Sequence, residues 1–273
     1  MNFAWLRRAL VYGVLLLAAL AVLLPYLWML SASLKPEEEI FTREIQLIPR
    51  TVNWDNYLQV WEKYPLARWL LNSIVVAAAE TLSIVVTSVL AGYAFARLRF
   101  WGRDVLFYMF LGTIMIPAQV TLIPSFLIIK QFGWINTYQG LIMPHVAAAF
   151  GVFLMRQFFL SFPSELEDAA RIDGCGWGRI LVQIVLPLTL PAVSSLAIIA
   201  FTFSWNNFLW PLVVINSKEM LTIQLGLASL KGEVIAWGLL MAATMISALP
   251  ILVVYLSFQR YFVKGIAMTG LKG

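Results

Sequence analysis

Apolar residues in this chain come in runs too long for the elements of a soluble domain. Stretches with little or no charge near residues 9–30, 69–93, 105–129, 139–160, 188–213 and 236–257 each reach the roughly 20 residues that a helix needs to cross a hydrocarbon core of about 30 Å. The ten-residue alternation of an outer-membrane barrel is absent, so the backbone polar groups are expected to be satisfied inside helices. The pattern predicts an all-α, polytopic membrane protein with six transmembrane helices. It forms one membrane domain over residues 1–273, with an external loop at 31–68 and a charged cytoplasmic loop at 161–187.

The first run has Arg7 and Arg8 before it and Ser31-Ala32-Ser33 after it, which copies the outline of a secretory signal. Its apolar stretch is longer than a signal core, and Pro25 to Leu30 extend it with Tyr26 and Trp28, so an uncleaved anchor is expected. Prolines crowd the middle runs: Pro117 and Pro124, Pro144, then Pro187, Pro191 and Pro211, with Pro250 in the last. Each removes a helical hydrogen bond and favours a kink.

Composition adds that 61% of the residues are hydrophobic and only 12% charged, against roughly 25% charged in a soluble domain. That excludes an ordinary soluble globule. The formal net charge of +5 is spread over segments flanking the apolar runs, which argues for topology and against nucleic acid. Six spans put both termini on one side. Arg7, Arg8, Arg97, Arg99, Arg103, Arg260, Lys264 and Lys272 all fall there, and the positive-inside rule makes it the cytoplasmic side. Cys175 is the only cysteine, so there is no internal disulfide framework.

The cytoplasmic stretch FPSELEDAARIDGCGWGRILVQIVLPL, residues 162–188, stands apart from its surroundings. Ser164 with Glu167 fits a capping box and Gly174 is placed for a left-handed C-terminal cap, which predicts a short helix from Glu165 to about Asp173. Leu166, Ala169, Ala170 and Asp173 share a narrow stripe. The polar face is acidic, through Glu165, Glu167, Asp168 and Asp173, whereas helices that lie on anionic lipid carry Lys and Arg there. Docking to a protein is the better reading.

The same stretch resembles the signature of permease subunits of binding-protein-dependent ABC importers. That signature, E-A-A, then G, then I-x-L-P, lies here as Asp168-Ala169-Ala170, Gly174 and Ile184-Val185-Leu186-Pro187, with Asp168 in place of the glutamate. The segments NSIVVA (72–77), AGYAFARLRFWGR (91–103), MIPAQVTLIPSFLI (115–128), SWNNFLWPLVV (204–214) and FQRYFVKGIAMTGLKG (258–273) look like carbohydrate-uptake permeases of the maltose and glycerol-3-phosphate type. They are most similar to the second permease of the pair. The resemblance implies the type I importer permease fold, a bacterial or archaeal cytoplasmic membrane location, and uptake of a sugar, an oligosaccharide or a glycerol-phosphate-like solute. It implies a heterodimer with a second permease, two ATPase subunits and an extracytoplasmic substrate-binding protein. Glu167, Asp168, Ala169, Ala170, Arg171 and Gly174 then form the coupling helix seated on the ATPase, and the tail from Val263 to Gly273 resembles tails that also approach it. No Gly-Lys dipeptide occurs, hence no P-loop. The chain is expected to be no enzyme and to bind no cofactor or metal, with ATP and Mg2+ on the partner ATPase subunits.

Polarity inside apolar runs marks a candidate solute path. Gln119 sits between two prolines, Asn206 and Asn207 follow Trp205, and Glu80 lies in the second run, where a charge at the bilayer centre costs roughly 2.5–3.5 kcal/mol on insertion scales. Aromatic faces and amides suit sugar rings and hydroxyls, while interhelical hydrogen bonding would serve the same amides equally well. His145, alone after Pro144, reads as a packing residue. Asn216, Ser217, Lys218, Glu219 and Met220 belong to an external loop that, by the resemblance, contacts the binding protein. An ion-coupled secondary transporter would need more acids in the spans than Glu80. A membrane enzyme would need a metal-ligand cluster or paired carboxylates that the spans do not offer.

Overall fold

The computed structural model describes residues 4–42, 46–161, 163–231 and 235–269; for Ala4, Leu6 and residues 260–269 it describes the backbone alone. The side chains of the tail from Val263 onward therefore lie outside the described residues. Among those that are described the regular structure is entirely helical, as the apolar pattern predicts. We label the principal helices α1 (Ala4–Ser33), α2 (Asp55–Lys63), α3 (Leu66–Arg97), α4 (Arg103–Gly112), α5 (Ala118–Gln131), α6 (Tyr138–Ile142), α7 (Ala149–Ser161), α8 (Glu165–Ile172), α9 (Trp177–Leu188), α10 (Leu190–Trp205), α11 (Leu209–Val214), α12 (Ile223–Ser229) and α13 (Trp237–Thr269).

Three helices, α1, α3 and most of α13, are each long and apolar enough to cross a membrane. The other three expected spans are bent pairs, and six crossings result if each pair is one span. The bends are 102° between Arg103–Met115 and α5, 43° between Tyr138–His145 and α7, and 81° between α9 and α10. Backbone chemistry explains where the chain turns. Ile116 precedes Pro117 and takes an extended ψ of 114°, because a following proline ring disfavours the helical region. Pro191 stands in the first turn of α10, where its missing N–H leaves no helical bond unmade. Pro187 follows a π-helical stretch, Leu181–Val185, and the Thr189 hydroxyl donates to the carbonyls of Val185 and Leu186 at 3.0 and 3.2 Å, satisfying the end of α9. Pro25, Pro124 and Pro250 lie inside continuing helices.

Contacts divide the chain into two compact units. The first comprises Met1–Ala67 and Gly226–Leu249. Here Asn56 donates its amide to the carbonyls of Ser33 and Lys35 at 3.0 and 2.9 Å. It occupies the place where a Cβ on Gly238 would come within 2.7 Å of it. The Glu37 carboxylate accepts from the backbone N–H groups of Trp237 and Gly238 at 2.9 and 3.0 Å, closing two of the orphan donors at the start of α13. Glu37→Ala should cost about 1 kcal/mol, the usual value of a lost helix N-cap, and Glu37→Gln should recover part of it. A thermal unfolding midpoint unmoved by Glu37→Ala would show that the clamp holds nothing.

The second unit comprises Arg68–Leu225 and Pro250–Gly273. Its main core gathers Ile84, Val89, Tyr93 and Ala96 of α3, Met155 and Phe159 of α7, Ala170, three residues of α9, and Ala192, Leu196 and Ala200 of α10. Close helix approach rests on small residues, as is usual between membrane helices. A Cβ on Gly92 would lie 2.8 Å from that of Met155, and one on Gly151 would lie 2.3 Å from the Ser88 hydroxyl. A second cluster around Trp210, Val214, Leu141 and Val76 packs the other end.

Candidate functional site

Helix α3 runs unbroken for 32 residues, about 48 Å at 1.5 Å per residue. It carries the anchoring groups of three separate features of the second unit. Near its C-terminus it grips α8. Glu167, 1% exposed, brings Oε1 within 2.8 Å of Arg97 Nε, and the Tyr93 hydroxyl donates to Oε2 at 3.1 Å. The arginine contact lacks hydrogen-bond alignment, so it acts as an ion pair. The Tyr93 ring packs edge-on against Phe159 and Trp177. Arg171 lies over the Trp177 ring at 3.8 Å and reaches Asp168 Oδ1 at 3.4 Å.

The expected boundaries of α8 are nearly met, but its start differs in kind. Ser164 has helical angles and its side chain caps nothing, because the Glu167 side chain that would close the capping box is turned inward to Arg97 and Tyr93. The glycine cap is present. Gly174 takes φ +81°, its N–H bonds to the Arg171 carbonyl, and that of Cys175 bonds to Ala170, both at 2.9 Å, the paired bonds of a Schellman motif. The expected apolar stripe divides. Ala170 is buried with Glu167, so neither lies on an outer docking face. Asp168, Ala169, Arg171 and Gly174 are exposed, beside Leu166 at 49% and Ile172 at 87% exposed. Ile172 stands six positions after Leu166, about 120° round the helix and off the expected stripe, so the stripe pattern does not single it out.

Midway along α3, Glu80 borders a concave cavity of about 1110 Å³. Residues 144–151, one face of α10 and residues 206–209 complete its wall. Glu80 is 3% exposed, and its Oε1 stands 3.2 Å from His145 Nδ1, which also lies 3.2 Å from the Leu141 carbonyl. Both neighbours accept hydrogen bonds, so with Glu80 ionised the proton sits on Nδ1. The imidazole packs edge-on to Trp210, whose Nε1 donates to the Gly140 carbonyl at 3.0 Å. Asn206 and Asn207 lie on the wall as expected from their polarity. Asn206 donates to the Thr202 carbonyl at 2.9 Å, and Asn207 Oδ1 accepts from Trp210 N at 3.3 Å. Two of the candidates lie off this wall. Trp205 is 1% exposed and stacked on Phe201 in the core, off the cavity wall. Gln119 is exposed in the first turn of α5 and does not border the cavity either. Phe150, Phe203 and Phe208 supply the aromatic wall instead.

Near its N-terminus α3 fixes the loop that follows α11. Trp69 Nε1 donates to the Lys218 carbonyl at 3.0 Å, Asn72 Nδ2 to the carbonyls of Glu219 and Leu221 at 2.8 and 2.9 Å, and Ser73 accepts from Ile223 N at 2.7 Å. Asn136, itself at φ +60°, accepts through Oδ1 from Asn216 N, Ser217 N and the Ser217 hydroxyl. The backbone of the loop is thus fixed while the side chains of Asn216, Lys218 and Glu219 stay exposed and those of Ser217 and Met220 half-buried.

A family described as the binding-protein-dependent transport system inner membrane component matches residues 84–268. That stretch takes in the cavity wall apart from Glu80, and α8 with its glycine cap. The chain belongs to this family. It is therefore the membrane-embedded permease subunit of an ATP-driven importer, and its helical fold is the permease fold. The permease is 37% identical over 276 residues to the arabinooligosaccharide transport permease AraQ of Halalkalibacterium halodurans, covering 99% of this chain and 97% of the relative. It is 36% identical to the sn-glycerol-3-phosphate transport permease UgpE of Pectobacterium atrosepticum, covering 92% and 93%. A crystal structure of a bacterial ABC transporter that imports the acidic polysaccharide alginate contains a chain of the same fold, with a TM-score of 0.82 at 24% identity over 96% of this permease.

Proposed function

We propose that this permease pairs with a second permease, sits on two ATPase subunits that hold ATP and Mg2+, and receives a sugar or oligosaccharide from an extracytoplasmic binding protein. Relatives named for arabinooligosaccharide and glycerol-3-phosphate transport support this class of solute. The basic residues at both ends of the chain support cytoplasmic termini in a multi-pass inner-membrane protein. Helix α8 is the coupling element. It meets the ATPase through Leu166, Asp168, Ala169, Arg171 and Ile172, and Gly174 supplies its sharp exit. Glu167 and Ala170 hold it from behind. The exposed 216–220 loop is the contact for the binding protein, and the Glu80 cavity is this subunit's share of the solute path.

The observation that carries the coupling role is the exposure of Ile172 and Leu166 on a helix whose acidic Glu167 is buried. A water-facing helix would place these residues the other way round. Gly174→Val is the test. No atom stands within 4 Å of a Cβ there, so the change strains only the left-handed backbone, by about 1–2 kcal/mol. The complex should still assemble in the membrane, while substrate-stimulated ATP hydrolysis in proteoliposomes falls at least tenfold. Normal stimulation would remove the coupling role.

A further inference from the structure

The charge of the cavity wall separates the two kinds of solute for which the relatives are named, because one is neutral and the other anionic. We propose that Glu80, oriented by His145, is a specificity-determining residue that accepts solute hydroxyls and excludes anions, so that the solute is a neutral polyhydroxy compound and not a phosphate ester or a uronate. This inference rests on the cavity being the solute path.

Five observations support it. Among the described residues no arginine or lysine borders the cavity. The basic residues at nearby helix ends are placed elsewhere: Arg156 lies over the Phe107 ring at 4.1 Å and donates to the Phe95 carbonyl, and Lys130 lies in the last turn of α5. With Glu80 ionised, the Glu80–His145 pair has a net charge of minus one or zero, never plus one, whichever form the imidazole takes. Among the described residues only Oε1 of Glu80 has a side-chain partner, which leaves Oε2 to accept a hydroxyl. The remaining polar wall, Ser204, Asn206 and Asn207, is uncharged, and Phe150, Phe203 and Phe208 offer the apolar faces that sugar rings use. A bound anion would face a pair of charge minus one or zero, with no further cation among the described residues of the wall. Clefts of one sign enrich counter-ions by roughly 10- to 1,000-fold and deplete like charges accordingly.

The experiment reads the field of the cavity without needing the solute. Ala147 borders the cavity and is exposed. A single cysteine is placed there by Ala147→Cys in a Cys175→Ser background, and Val52→Cys serves as an exposed control. The complete importer in lipid nanodiscs is treated with a cationic (trimethylammonioethyl) and an anionic (sulfonatoethyl) methanethiosulfonate of similar size. At position 147 the cation should react at least tenfold faster than the anion, relative to the control, and Glu80→Gln should bring that ratio within about twofold of the control. Equal ratios at the two positions, or a preference that survives Glu80→Gln, would overturn the proposal. The path reading is scored separately by comparing nucleotide-free importer with importer trapped by ATP and vanadate. A reaction rate at position 147 that ignores the nucleotide state removes the path and this inference with it. A rate that changes without charge preference keeps the path and removes the role of Glu80.

Discussion

Replacing Glu167 with alanine should uncouple the importer: substrate-stimulated ATP hydrolysis is expected to fall at least tenfold while the subunits still assemble. The reason is that α8 is short, and its hold on the rest of the permease is concentrated in few groups. Glu167 meets Arg97 and Tyr93, Ala170 enters the core, and Arg171 covers Trp177. Removing one partner of a buried ion pair costs about 3–5 kcal/mol, because the other charge stays behind without compensation. Arg97 keeps some solvent access, its side chain being 14% exposed, so the lower end of that range applies. A comparable swing would let α8 leave its seat for an appreciable fraction of the time. Tyr93→Phe removes one hydrogen bond to a charged acceptor, about 1.5–3 kcal/mol, and should weaken coupling less. The decisive variant is the reversal Arg97→Glu with Glu167→Lys. If the pair positions the helix, the double change should restore a measurable part of the stimulation that each single change abolishes. Strictly additive losses in that cycle would show that the two side chains act independently.

The same contact shows what could and could not be read from the sequence. The length of α8 and its glycine exit depend on residues within a few positions of each other, and local chemistry gave both. The direction of Glu167 depends on Arg97, 70 positions earlier, and a local capping rule had no access to it. Spans followed the same division. Six charge-poor apolar runs are visible in the sequence, but the length of a run carries no direction, so the sharp turns at Pro117 and Thr189 emerge only from the backbone. Proline marked some breaks and not others, because Pro124 and Pro250 sit inside helices that continue through them. Polarity within an apolar run coincides with the cavity wall at Glu80, Asn206 and Asn207. It does not at Trp205 and Gln119, since residue type does not fix which way a helical position faces, and one position changes that direction by about 100°. His145 read as a packing residue because its partner is 65 positions away. It does pack, on Trp210, and it also orients the Glu80 carboxylate of the cavity wall.

Gly140→Ala should be the most damaging single methyl group in the second unit. The added Cβ would stand 2.1 Å from the backbone carbonyl oxygen of Trp134 and 3.2 Å from a Val214 methyl. A backbone atom cannot rotate away as a side chain can, so the segment from Trp134 to Tyr138 must move. That segment is what holds the outer loop: Asn136 takes three hydrogen bonds from Asn216 and Ser217, and Tyr138 donates to Asn72 at 2.6 Å. The Gly140 carbonyl also receives the Trp210 indole, which packs against His145. Overpacking in a close-fitted interior costs about 1–3 kcal/mol, occasionally more, and the loosened hydrogen bonds add to it. The expected results are a clear fall in the thermal midpoint of the purified permease and a loss of binding-protein-stimulated ATP hydrolysis. The matched control is Gly112→Ala in α4, where nothing stands within 4 Å of the new methyl and the backbone is already helical. There alanine's better helix propensity should leave stability unchanged or raise it by up to about 1 kcal/mol. If both substitutions lowered the midpoint equally, the Trp134 contact would not be what makes position 140 require glycine.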